Sequence, residues 1–177
     1  MTGRLGSRGA WAGLTGAIVA VGALEALVVH LIAVRFVPGV APAIDLALGA
    51  VTAGVCLAIA SPLWSRVRVR GPMLRVRFGW LARTDVPLSD IVDVAVVAGA
   101  AVPEQGIAVA DGVLSLILDP EGEAVRLTLA APVAARFQVV RAVSVHTLVI
   151  GMADAAQTRA AIAQEARDAA SGRDVTN

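Results

Sequence analysis

Residues Trp11–Val34 read WAGLTGAIVAVGALEALVVHLIAV, and Ala43–Leu63 read AIDLALGAVTAGVCLAIASPL. A short segment holding Arg35, Pro38, Gly39 and Pro42 parts them. A helix rises about 1.5 Å per residue and a hydrocarbon core is roughly 30 Å thick, so each run is long enough to span a bilayer. The pair predicts a membrane α-hairpin of two transmembrane helices over residues 11–63, with residues 1–10 as a cytoplasmic N-terminal tail. A secretory signal is the competing reading, because Arg4 and Arg8 precede an apolar stretch with small residues such as Ala23 and Ala26. The stretch is too long for a signal, a second run follows at once, and Glu25, His30 and Arg35 intervene where cleavage would fall.

Basic residues flank the hairpin asymmetrically. Arg4 and Arg8 precede it, and Arg66, Arg68, Arg70, Arg75, Arg77 and Arg83 follow it before Asp85, the first acid of that region. Loop charge sets orientation, so both termini are expected to be cytoplasmic, on a multi-pass protein of the plasma membrane. Trp11 and Trp64 bracket the hairpin and are expected as interfacial anchors, since indole rings suit the headgroup layer. Small residues at four-residue spacing (Gly13 with Ala17, Gly22 with Ala26, Gly49 with Ala53) would let the helices approach closely.

Ionisable residues inside the spans carry the strongest functional signal. Counting from Trp11 at about 1.5 Å per residue, Glu25 lies roughly 21 Å in and His30 roughly 28 Å; counting back from Trp64, Asp45 also lies roughly 28 Å in. His30 and Asp45 are thus expected at one depth, with His30 and Arg35 neutralising Asp45. A charged group in lipid is costly, so such residues face one another, a partner or water. Glu25 has no basic counterpart at its own level, where Gly49 to Thr52 should stand. Glu25 and His30 are five residues apart, about 140° around a helix, which argues against a shared metal ion.

From Trp64 the period changes to two. Arg66, Arg68 and Arg70 alternate with Val67 and Val69, then Met73, Leu74, Val76 and Phe78 follow a Gly71-Pro72 break: strand, tight turn, strand. Alternation places Arg66, Arg68 and Arg70 on one face, as candidate contacts to anionic lipid headgroups. Further strands are predicted at Ile91–Val97, Ile107–Ala110, Val113–Leu118, Val125–Leu129 and across Phe137–Ile150. Asp119-Pro120-Glu121-Gly122 signals a turn that would join two of them as a hairpin. Asp154, with Gln157 three residues on, caps a helix expected over Ala155–Ala170, and residues 171–177 are expected as a disordered tail.

The stretch Leu74-Arg-Val-Arg-Phe-Gly-Trp-Leu-Ala-Arg-Thr-Asp-Val-Pro-Leu-Ser-Asp-Ile-Val-Asp-Val resembles the bacterial pleckstrin-homology-like (PH-like) domains attached to short membrane hairpins. The shared pattern is a strand, a Gly, a second strand, then pro-leu-x-x-ile leading into a third. Glu25 followed five residues later by His30 likewise resembles the first span of small membrane proteins from high-GC bacteria. The resemblance implies a cytoplasmic PH-like domain over residues 64–170: a β-rich, bent antiparallel sheet or barrel of seven strands capped by one C-terminal helix. It implies no catalytic residues. The sequence departs from the pattern twice, in a helix with only Ile162 as a large apolar plug and in a long, loose segment over Ala98–Ala110.

Several chemistries are excluded. The single cysteine, Cys56, has no partner for an internal disulfide or a cysteine metal cluster. Glycines at Gly3, Gly6 and Gly9 precede no strand, so no phosphate-cradling loop of the P-loop or dinucleotide type is read there, and no nucleophile elbow occurs. His146 reads as an outward-facing strand residue, and Asp90 with Asp93 as a solvated strand start. The chain has no Tyr and only three Phe and three Trp, too few for base stacking, so nucleic acid is not a partner. The expectation is a non-enzymatic integral membrane protein without cofactor or metal, whose domain contacts the bilayer surface or another protein. The alternative is an accessory subunit of a larger membrane transporter or enzyme complex, using Glu25 and His30 at an interface with a protein partner or a homo-oligomer.

Overall fold

The computed structural model describes residues 2–6, 9–98, 101–137 and 141–174. Helices α1 (Gly9–Phe36) and α2 (Ala41–Ala60) form an antiparallel hairpin. Pro42 sits in the first turn of α2, where its missing N–H is no loss. The less exposed residues, Thr15, Ile18, Gly22, Ala26, Val29 and Ala33 on α1 and Ala41, Asp45, Leu48, Thr52 and Cys56 on α2, recur at spacings of three and four. That spacing places one stripe of each helix against the other. Only one of the three small-residue pairs serves it: a Cβ on Gly22 would come 3.0 Å from Thr52 Cγ2, whereas Gly13 and Gly49 face open space. Both helices are long and apolar enough to cross a membrane, and only 6% and 0% of their most apolar stretches are buried. Core helices of a water-soluble protein would be mostly covered.

The segment before the hairpin is no free tail. It forms β1 (Thr2–Arg4), which pairs antiparallel with β2 (Arg66–Arg70), Arg4 opposite Arg66 and Thr2 opposite Arg68. Leu5 bridges to Met152 and is 1% exposed, and Gly6 N–H donates to Gly151 O at 3.1 Å. The expectation of a separate tail over residues 1–10 is corrected here. One buried leucine and an unoccupied edge of β2 are sufficient cause, because an open strand edge seeks a partner. Both ends of the hairpin therefore join the same sheet.

After a 3-10 turn at Ser61–Trp64 the chain makes a meander of β2, β3 (Met73–Phe78) and β4 (Ala82–Pro87). Arg70 pairs with Met73, leaving the two-residue loop Gly71-Pro72; Gly71 has φ +57, and Pro72 admits only a type II′ turn. A second 3-10 turn at Leu88–Asp90 leads to β5 (Ile91–Val97). Strands β6 (Gly106–Ala110) and β7 (Val113–Ile117) close over Asp111 and Gly112, both at positive φ as a type I′ turn requires. Then come β8 (Glu123–Phe137), β9 (Arg141–Met152) and α3 (Ala155–Asp174). Helix α3 runs past the expected end at Ala170 to Asp174, so the tail prediction fails over residues 171–174, while residues 175–177 lie outside the described ones. Its N-terminus is capped as read, with Gln157 N–H donating to Asp154 Oδ1 at 2.9 Å.

Among the described residues the sheet has nine strands in the order β1-β2-β3-β4-β8-β9-β7-β6, with β5 also on β8. Eight of them follow the helices. Long strands make this possible: β8 pairs with β5 through Ala124–Leu129 and with β4 through Ala135–Phe137, shifting register near Pro132, which cannot donate to a ladder. Two expectations change. The Asp119–Gly122 turn does form, with Glu121 N–H on Asp119 Oδ1 at 3.1 Å, but β7 and β8 do not pair, because β9 lies between them. And the sheet is mixed rather than antiparallel, since β7 runs parallel to β9. Leu114, Ser115, Leu116 and Ile117 are all buried, the pattern of a strand covered on both faces rather than of a solvated hairpin arm. Helix α3 packs on β5 and the second 3-10 turn, placing Ile162 at 1% exposure in a core with Phe78, Leu74, Leu127 and Leu148.

Candidate functional site

Two regions hold the residues that sequence reasoning singled out. Within the hairpin, His30 Nδ1 and Asp45 Oδ2 lie 2.8 Å apart, a hydrogen-bonded pair joining the two helices near their loop. Arg35 does not join them: its guanidinium lies 5.7 Å from the centre of the Phe36 ring. The ring of the next residue gives it a favourable cation–π partner. Gly22 touches Thr52 and His30 touches Asp45, so Glu25 stands level with about Gly49, as expected. Glu25 is exposed and, among the described residues, has no hydrogen-bond or ion-pair partner.

The second region is the base of the hairpin. Trp11, expected as an interfacial anchor, is instead 8% exposed and belongs to the domain core. Its Nε1 donates to Ile59 O at 2.8 Å, and its ring meets Phe78 edge-on at 6.0 Å and 83°. The carbonyls of a helix's last turn lack partners within the helix, and the indole supplies one while filling the junction. Trp64 stays 63% exposed, and Trp80, which the sequence reading passed over, is 64% exposed. Trp80 sits in the β3–β4 turn, whose backbone is seated on the end of the hairpin. Trp80 N–H donates to Ser61 Oγ at 3.1 Å, Ser61 Oγ donates to Ala58 O at 2.7 Å, and a Cβ on Gly79 would fall 2.3 Å from the Ser61 carbonyl carbon. Only glycine fits there, both for space and for φ +55.

Arg66, Arg68 and Arg70 all point outward, as alternation required, while Val67 is buried beneath them. Register adds what spacing along one strand does not show. Arg66 stands opposite Arg77, Arg77 opposite Arg83, and Arg83 opposite Arg136, a row of arginines crossing β2, β3, β4 and β8 on one exposed face. The buried face alternates with it at Val67, Val76, Thr84 and Ala135. Asp85 is the only acid in β2–β4 and lies 3.8 Å from Arg75, outside the row. The next pairing after the row, Phe78 with Ala82 and Ala82 with Phe137, is the sheet's last step before the turn on Ser61. The row thus lies at the hairpin end of the domain. Arg68 and Arg70 climb away from it, at about 3.3 Å per residue.

His146 is exposed on β9, its ring against the β6–β7 turn, where a Cβ on Gly112 would meet its Nδ1 at 2.3 Å. Asp90 sits in the second 3-10 turn and Asp93 is exposed on β5. Among the described residues no three His, Cys, Asp or Glu side chains converge as metal ligands would. No family model matches the chain, and no curated protein or solved structure matches it.

Proposed function

We propose that this chain is an integral membrane protein of non-enzymatic type, in which the hairpin spans the plasma membrane and holds a PH-like domain against the cytoplasmic surface, there to contact lipid headgroups or another protein. The observation that carries it is the joining of two uncovered apolar helices, at both ends, to the arginine-bearing edge of one sheet. An apolar surface of this extent is stable only in lipid or under a partner. Arginine-rich flanks belong on the cytoplasmic side. Helix α3 packed on the sheet, with Ile162 in the core, supports the PH-like reading, whereas the mixed sheet of eight strands after the hairpin departs from the seven antiparallel strands it implies.

The test is fractionation and topology together. The full-length chain should stay with membranes through an alkaline carbonate wash, and a green fluorescent protein fused after Asn177 should fluoresce. Recovery in the aqueous fraction without detergent, or a fused alkaline phosphatase that is active at the same position, would overturn the assignment.

A second reading is favoured by one observation, the exposed and unpartnered Glu25. A carboxyl at that depth seeks a partner, so α1 would present it, with His30, to a helix of a larger transporter or enzyme complex or to a second copy of this chain. Crosslinking in native membranes, with Glu25→Gln as the variant, separates the two: loss of a crosslinked partner favours the subunit role, and an unchanged pattern removes it.

A further inference from the structure

We propose that the arginine row and the Trp80 turn form a binding site for the phosphate groups of anionic phospholipids, resting on the membrane placement proposed above. Two shallow cavities adjoin at Trp80. One, of about 340 Å³, is lined by Ser61, Trp64, Arg66, Arg77, Gly79 and Trp80; the other, of about 170 Å³, by Trp80, Leu81, Ala82, Arg83 and Arg136. The row of four arginines is thereby divided into two cationic pairs, Arg66 with Arg77 and Arg83 with Arg136, on either side of one indole.

Three observations select the ligand. Like charges directly opposite on neighbouring strands repel, and here three successive cross-strand pairs are arginine on arginine with no acid among the described residues of the row. Such an arrangement calls for an anion from outside, and the forked guanidinium matches phosphate oxygens. Strands lie about 4.8 Å apart, so the centres of the two pairs are separated by about 10 Å, a span that fits two phosphates side by side rather than one. Finally, Trp64 and Trp80 are both more than three-fifths exposed beside the pairs, and the turn carrying Trp80 is fixed to the end of α2 through Ser61. Indoles so placed belong in the headgroup layer, which sets the arginines at phosphate depth. A lipid rather than a free anion is the source, because the site opens where the hairpin enters the bilayer.

The test uses full-length protein in detergent, exchanged against defined lipids and read by native mass spectrometry. Wild type should retain phosphatidylglycerol over phosphatidylcholine. The double variant Arg83→Gln with Arg136→Gln, which leaves Arg4, Arg8, Arg66, Arg68 and Arg70 beside the hairpin to orient it, should lose that retention by about tenfold. Arg126→Gln with Arg167→Gln removes the same charge from exposed positions on the far half of β8 and on α3, and should retain the lipid within about twofold of wild type. Equal loss in both variants would show diffuse attraction and overturn the site. So would equal retention of phosphatidylcholine, or displacement of the lipid by millimolar inorganic phosphate. Each of these outcomes leaves the protein in the membrane fraction, so it is distinct from failure of the membrane assignment itself.

Discussion

Single residues at the hairpin base and the β6–β7 turn hold positions that no other side chain fills. Gly79 combines φ +55 with a Cβ position 2.3 Å from backbone, which cannot retreat, so Gly79→Ala is expected to destabilise the protein by about 1–3 kcal/mol in thermal unfolding in detergent. Gly112 differs in kind: its φ is +71, but the obstacle is the His146 ring, a movable side chain. Gly112→Ala should therefore be partly rescued by His146→Ala, with the remaining loss due to φ alone, as a double-mutant cycle on melting temperature would show. In the hairpin, the His30–Asp45 bond should give a coupling of about 0.6 kcal/mol, the average for such pairs between membrane helices, in a cycle of His30→Ala and Asp45→Ala. These residues were only partly legible. The depth count brought His30 to Asp45 because helix rise is constant, but Trp11 was read for its surface preference when its indole instead serves a helix-end carbonyl and the core.

At the scale of elements, β1 and α3 close opposite parts of the sheet with one large apolar residue each. Leu5, after β1, is 1% exposed, and Leu5→Ala should cost about 2–5 kcal/mol by denaturant unfolding, as should Ile162→Ala in α3. Equal stability of either variant would remove that element from the core. Strands β2 and β3 and the N-terminal cap of α3 were readable because alternation, the Gly71-Pro72 turn and Asp154 act over a few residues. Strand β1 was not, since three residues without a turn or a period carry no local signal. The pairing of β7 was misread for a related reason: a turn motif tells where the chain reverses, not whether the flanking strands become neighbours.

For the whole molecule, the domain depends on sequence from both sides of the hairpin. A fragment of residues 65–174 should give a β-dominated circular dichroism spectrum with one helix's contribution, yet melt below the same fragment carrying residues 1–6 on a flexible linker, because it lacks the strand that covers β2. A helix-dominated spectrum would contradict the fold, and equal melting would contradict the role of β1. The amino-acid sequence alone determined two helices of membrane-spanning length and composition, a β-rich remainder and a final capped helix, because hydrophobic period and turn chemistry are summed over neighbours in the chain. Only the tertiary structure decided that the N-terminal residues close the sheet, that β9 separates β7 from β8, and that Arg136 falls into line with Arg66, Arg77 and Arg83. Those facts depend on strand pairing between residues 34 to 66 positions apart, where a shift of one residue turns every side chain to the other face.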